Sequence, residues 1–361
     1  MIERFLDKIS SRIVFGEQSS IGLSIGSSSI KLVELSKKGK LWNLRHFGVV
    51  QLPEEIVVNR EIINPVGLVE SIKTLVNQMQ LKNRRVCSSI SGAALIVKKM
   101  TLDGVDLKDL QEQVFWEAEQ YLPFDVSEVV MDYHLISHVK GGRTEVIVVA
   151  VKKTVLESYL DCITKAGLVP AVMDVDFFAL QNLYEVNYPV KPSEAVALID
   201  IGAASLKLVI VANGVPIFTK DSSIGGNLLT SEIQRVLSLS FADAESLKTA
   251  EGSEGIPQEV IELMSSVSET IAIEIKKGLD FYQASSSGPP LSSILIAGGS
   301  AKIPRLSKVI EDLIGFPTQV LNPFNAIVYS PEVFTSEYLS RIGAVAAVPI
   351  GLAIRSGGAR S

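Results

Sequence analysis

The stretch "LIDIGAASLKLVIV" (198–211) decides the fold, because an almost identical pattern appears far upstream in "LSIGSSSIKLVEL" (23–35). Both carry I-G-x-x-S-x-K-L-V, once from Ile25 to Val33 and once from Ile201 to Val209. Each reads as a strand, a tight Gly/Ser turn and a second strand, since apolar runs bounded by small turn residues pair as hairpins. A turn of this kind points several backbone N–H groups the same way and makes a concavity for an anion. Glycine lets the chain approach a phosphate closely, and the lysine two residues after the serine can reach back over the turn. Two such turns, from two similar halves facing across a cleft, predict a polyphosphate held from both sides.

The copies differ at one position. Asp200 precedes the second turn and is suited to a hydrated Mg²⁺, which takes carboxylates, waters and phosphate oxygens; Ser24 stands at the matching place in the first. Two further glycine pairs join the set. Gly225-Gly226 sits at the mouth of a helix, whose terminal N–H groups suit an anion, and "AGGS" (297–300) leaves bare backbone for a flat base or ribose.

Around these turns the chain reads as alternating α and β. The first hairpin continues into a third strand, "LWNLRHFGVVQL", and then a helix starting at Asn64-Pro65 with apolar residues at 3.6 spacing. Residues 88–168 read as a compact α+β insertion of helix, two strands and helix. The best linker is "PVKPSE" (189–194), and the second hairpin follows it directly with its own third strand, "VPIFTKDSS". Residues 1–19 form an N-terminal arm with Ile2, Phe5, Leu6, Ile9 and Ile13 at helical spacing. The expected division is 20–87 with 169–193 and 331–361 as a first core, 194–229 with 284–330 as a second, and 230–283 as a helical part of that second half.

Composition narrows the function. A length of 361 residues exceeds one ordinary core. Apolar content of 47% with 20% charged residues is globular, and a net charge of −6 without a basic stripe argues against nucleic acid. Cys87 and Cys162 lack metal or disulfide spacing and read as free thiols of a reducing cytosol. The N-terminus has no secretory h-region. "IGAVAAVPIGLAI" (342–354) is shorter than the roughly 20 residues of a membrane span and reads as a buried helix of a soluble protein. His46, His134 and His138 have no triad or metal partners at a recognisable spacing. Glu117 and Glu119, two apart on a helix, point away from each other.

The order of these motifs resembles the actin-like ATPase superfamily, and in detail the PilM family of type IV pilus assembly proteins. "IGSSSIKLVEL", "WEAEQYLPFD", "FALQNLYE", "ALIDIGAASLKLVI", "IGGNLLTSEI" and "AVPIGLAIR" carry the likeness over nearly the whole chain. It implies an α/β, actin-like (ribonuclease H-like) duplicated fold, with two domains around a nucleotide cleft and a small inserted subdomain as in FtsA. It implies ATP or ADP with Mg²⁺. Carried over by position, Gly26, Ser27, Ser28, Ser29 and Lys31 match the first phosphate loop. Asp200, Gly202, Ala203, Ala204 and Ser205 match the second, with Asp200 serving the metal. Gly225, Gly226 and Asn227 match the glycine turn, Glu245 and Lys248 the Glu-x-x-Lys beside ribose and adenine, and Gly298, Gly299, Ser300 and Ile303 the loop under the base.

Two departures are visible. Ser24 replaces the superfamily's usual first aspartate, and Phe178 falls nearest the place of the residue that orients the attacking water. The expectation is therefore nucleotide binding with weak or no hydrolysis. The resemblance also implies a partner, the short cytoplasmic N-terminal tail of PilN, docked between the inserted unit and the first core near Trp116, Tyr121 and Phe124. That partner would hold the chain at the inner membrane. The alternatives are an FtsA-like polymerising division protein and, behind it, a sugar kinase, which needs an aspartate base in the cleft.

Overall fold

The computed structural model describes residues 18–249, 256–285 and 288–358. The arm expected at 1–19 lies almost wholly outside them. The first half opens with β1 (Gln18–Ile25), β2 (Ser29–Lys38) and β3 (Leu41–Gln51), an antiparallel meander. The small hairpin β4 (Val57–Val58) and β5 (Glu61–Ile62), α1 (Pro65–Gln78) and β6 (Arg85–Ile90) follow. Asn64 caps α1 by accepting a hydrogen bond from Gly67 N, and Pro65 takes the first helical position, where a missing N–H costs nothing.

The inserted unit contains β7 (Leu95–Asp103), α2 (Leu110–Glu119), β8 (Val129–His138) and β9 (Arg143–Lys152), with strand order β7-β9-β8. It has its own core of Met100, Leu102, Leu110, Val114, Ala118, Val146 and Val148. Two features differ from the sequence reading. β7 is a third strand, and the next helix, α3 (Lys153–Lys165), leaves the insertion. Its Tyr159, Cys162 and Ile163 pack with β1, β2 and α1 in the core of the first half.

β10 (Val169–Val175) completes the first sheet and α4 (Asp176–Asn187) leads out of it. The second half repeats the scheme with β11 (Ala195–Ile201), β12 (Leu206–Ala212) and β13 (Val215–Ser222), again an antiparallel meander. Then come α5 (Asn227–Leu237), α6 (Phe241–Thr249), α7 (Gln258–Ser285), β14 (Leu291–Ala297), α8 (Leu306–Ile314), β15 (Thr318–Val320), β16 (Ile327–Val328) and α9 (Ser336–Gly358).

The sheet orders make the duplication explicit. The first runs β10-β6-β1-β2-β3-β16 and the second β15-β14-β11-β12-β13. In each, the first strand of the meander pairs in parallel with a later strand, which pairs in parallel with the next. Helices α4 and α9 lie between the sheets in one shared apolar layer that takes Val33 and Leu35 from one sheet and Leu198, Val209 and Leu295 from the other. The apolar window of α9 is 72% buried within the protein, as expected for a core helix with Pro349 inside it.

Candidate functional site

The two quoted turns match in register and in the backbone hydrogen bond that closes them. Ser24 pairs with Lys31 and Ile25 with Ile30 across the first hairpin; Asp200 pairs with Lys207 and Ile201 with Leu206 across the second. Each turn closes with the same backbone bond, Gly26 N to Ser29 O at 3.0 Å and Gly202 N to Ser205 O at 2.9 Å. Both open into one cleft of about 610 Å³ lined by Gly26, Ser27, Ser28, Ser29, Lys31, Asp200, Gly202 and Ala203. That volume is ordinary for a small-molecule site.

The floor of the cleft is a charge network that joins the halves. Lys207 Nζ lies 2.9 Å from Asp200 Oδ2 in its own hairpin and 2.5 Å from Asp176 Oδ2 at the start of α4. Ser89 Oγ donates to the other oxygen of Asp176 at 2.5 Å. Arg60, from the turn between β4 and β5, lies across the second hairpin and donates through Nη2 to Ser205 Oγ. Burial alone would raise the Asp176 carboxyl, but Lys207, Arg60 and the Ser89 hydroxyl outweigh it and hold it down to about 2. Lys31 faces Ser24 instead of an aspartate. Burial, with the positive charges of Lys207 and Arg60 and against the pull of Asp200, lowers its ammonium to about 8.

At the other end of the cleft, Lys248 Nζ is 2.6 Å from Glu245 Oε2 and donates to Thr230 Oγ1 at 2.9 Å and Gly226 O at 3.5 Å. Glu245, Lys248, Gly298, Gly299, Ser300 and Ile303 all line this part. Ser300 Oγ donates to Gly202 O at 2.9 Å, tying the "AGGS" turn to the second hairpin. Gly298 N is held by Ala344 O of α9 at 2.8 Å.

A family model described as type IV pilus assembly protein PilM matches residues 22–357. The chain belongs to the PilM family. A chain of a PilM-PilN type IV pilus biogenesis complex is similar at TM-score 0.85 and 28% identity, over 94% of this chain and 99% of that one. The cell division protein FtsA of Bacillus subtilis is 20% identical over 87% of this chain and 81% of its own. EutJ of Carboxydothermus hydrogenoformans, at TM-score 0.59, 13% identity and coverage of 94% and 90%, shares the fold. The actin-like duplicated α/β fold that the resemblance implies is thus the fold of this PilM-family chain.

Most of the sequence-derived residues meet in the cleft of this PilM-family protein, and a few stand behind it. Ser205 supports the guanidinium of Arg60, while Gly226 N and Asn227 N bond to the carbonyls of Gly202 and Ala203 at 2.9 and 2.7 Å. Gly225 packs against the Ala203 carbonyl so tightly that a Cβ there would lie 2.5 Å from its oxygen. The glycine turn therefore braces the second hairpin turn from behind; Ala204, within that turn, is half-buried and does not line the cleft. One assignment is corrected. Phe178 packs with the shared apolar layer, and Asp176, two residues earlier, is the group of that stretch that lines the cleft. Asp176, Arg60, Gln51, Arg341 and Lys207 also line it. The first four went unread as site residues in the sequence, and Lys207 was read there only as the lysine that reaches back over its own turn. Lys207 was within reach, because it occupies the place in the second copy that Lys31 holds in the first.

The donor set decides what a metal could find here. Among the described residues there is no cluster of three or more Asp, Glu, His or Cys placed for a metal. The Asp176 oxygens are taken by Lys207 and Ser89, and Lys207 also holds one oxygen of Asp200. Asp200 Oδ1 is left. The arrangement fits a magnesium ion carried in on phosphates and met by Asp200; it does not form a protein-built cage.

The insertion of this PilM-family chain shows a second surface. Trp116 is 62% exposed and Tyr121 51% exposed. Lys98 Nζ sits over the Tyr121 ring at 3.0 Å from its centroid, and Lys152 over the Phe124 ring at 4.4 Å. Of the three aromatics only Tyr121 is both exposed and covered by a cation; Phe124 is half-buried, and Trp116 carries none among the described residues.

Proposed function

We propose that this chain is a nucleotide-binding, actin-like scaffold of the type IV pilus platform at the cytoplasmic side of the inner membrane. It binds ATP, with Mg²⁺ met by Asp200, between the two hairpins and captures the N-terminal tail of PilN. The observation that carries the nucleotide reading is the equivalence of the two turns, each closed by the same Gly N to Ser O bond and each followed by a lysine, on one shared cleft. Two backbone turns and the Lys31 ammonium on one cleft, above a floor where Lys207 is held by Asp176 and Asp200, suit a chain of phosphates. The aromatic surface of the insertion supports the peptide reading, and the solved PilM-PilN complex names the kind of partner.

Slow or absent hydrolysis follows from the same network. An attacking water needs a group free to orient it. Asp176, the carboxylate of α4 in the cleft, spends its oxygens on Lys207 and Ser89. Phosphate release is expected at least ~100-fold below the roughly 1–100 per second of kinases.

A thermal-shift titration tests the core of the proposal. ATP with Mg²⁺ is expected to raise the melting temperature of the full chain, and Asp200→Ala to remove most of that rise. No rise in the wild-type protein rejects the nucleotide reading. Titration of a synthetic PilN tail against the ATP-loaded protein tests the partner, with Trp116→Ala expected to weaken binding about tenfold; no binding at all rejects it.

A further inference from the structure

We propose that Arg60 reads the terminal phosphate of a nucleoside triphosphate, so that the cleft distinguishes triphosphate from diphosphate; this rests on the nucleotide reading above. The first support is the effort the fold spends on placing this side chain. Asn59 and Arg60 both have positive φ, 48° and 69°, as the two central residues of a mirror-image turn between β4 and β5. Asparagine suits that region, whereas arginine there is strained and persists only when its surroundings hold it. They do so. Tyr159 Oη donates to the Arg60 carbonyl at 3.1 Å from α3. Gly92, itself at φ 98°, leaves room for the stem, since a Cβ at Gly92 would come within 2.7 Å of Arg60 Cγ.

The second support is that the guanidinium has donors to spare. Its side chain is only 10% exposed, yet Nε is buried with no hydrogen-bond partner among the described residues. Nη2 donates to Ser205 Oγ, and Nη1 is 3.9 Å from Asp176 Oδ2, too far for a forked ion pair. Asp176 is meanwhile satisfied by Lys207 and Ser89. Nε is sealed from the cleft, but Nη1 makes no hydrogen bond among the described residues and belongs to a buried arginine that lines the cleft, a planar donor suited to a phosphate.

The third support is polarity along the cleft. Ser300 touches the second turn at Gly202 O, on the side of Lys248 and Glu245. Arg60 touches the same turn at Ser205, on the side of Asp176 and the two hairpin lysines. A nucleotide with its base beside Lys248 presents its last phosphate to Arg60. A planar fork on that phosphate gives a contact that a diphosphate lacks.

The test is calorimetric titration of the full chain, at fixed Mg²⁺, with ADP and with a non-hydrolysable ATP analogue. The wild type is expected to prefer the triphosphate at least tenfold. Arg60→Met is expected to lose tenfold or more for the triphosphate and less than threefold for ADP. Arg60→Lys keeps stem and charge without the fork, and is expected to keep less than a third of the wild-type triphosphate preference, a reading that stands even if Arg60→Met fails to fold. Equal loss for both nucleotides, or a triphosphate preference left intact in Arg60→Lys, overturns the proposal. A wild type that binds both nucleotides equally overturns it alone, whereas one that binds neither removes the nucleotide reading beneath it.

Discussion

Ser24 and Asp200 occupy the same place in two copies of one hairpin, and that single difference sets the chemistry of the lysine opposite each. Lys207 has a carboxylate across the strand pair and a second one from α4, and is held in its charged form above its ordinary value despite burial. Lys31 has neither and is lowered to about 8. A phosphate binds the ammonium and not the amine, so affinity is full below that value and falls as pH rises through it. Triphosphate affinity measured from pH 7 to 9.5 is expected to be flat at first and then to weaken by up to about tenfold per unit above 8. Lys31→Met should flatten the curve at the weaker level. An unchanged slope in that variant would assign the pH dependence elsewhere. Ser24→Asp should restore the pairing of the second copy and shift the onset upward. The repeat was legible in the sequence because a hairpin keeps its parts within nine residues. Arg60 and Asp176 were not, because a strained turn and a helix start bring them in from separate segments.

Among the elements, α9 shows how closely the shared layer is built. A Cβ at Gly351 would strike the Ala179 carbonyl, approaching its carbon to 2.5 Å, and a Cβ at Gly22 would lie 2.6 Å from Ala353 N. Both neighbours are backbone, which cannot rotate away as a side chain can. Gly351→Ala is therefore expected to cost about 3 kcal/mol or more through displaced helices, above the usual range for one added methyl. A melting curve should show a drop of about 4 °C or more; a shift within 1 °C would mean that α4 and α9 slide freely. The apolar run of α9 was legible as a buried helix from its length and its proline. The boundary of the insertion was less legible, because α3 follows β9 without a break yet buries Tyr159 and Ile163 in the first core. Strand β7 was missed for a different reason. It pairs with β9 alone, and only its second half, Lys99 to Asp103, alternates between exposed and buried, while Leu95 to Lys98 are all half-buried, so the period of two is short in "LIVKKMTLD".

At the scale of the molecule, α4 and α9 are the layer shared by the two halves, and the Lys207–Asp176 pair fastens them across the cleft. Lys207 is 4% exposed at its side chain and its two carboxylate partners 8% and 12%, so the group behaves as a buried triad. Removing one member of such a set leaves unpaired charge, which costs more than the set contributes when whole. Lys207→Met is accordingly expected to lose about 3–5 kcal/mol at pH 7, and adding Asp176→Asn to it should recover part of that loss. The pH dependence should reverse sign. In the wild type Asp176 titrates near 2, below its unfolded value near 3.8, so its contribution is present above about pH 4 and is lost as pH falls toward 2. Without Lys207 only Arg60 and Ser89 oppose the desolvation of Asp176, so its carboxyl is expected to rise above its unfolded value. The folded state of Lys207→Met then takes up protons first, and its deficit should shrink as pH is lowered from 7 toward 4. Denaturant titrations of both proteins at several pH values distinguish the cases. Parallel stability curves would show that the triad does not fasten the halves.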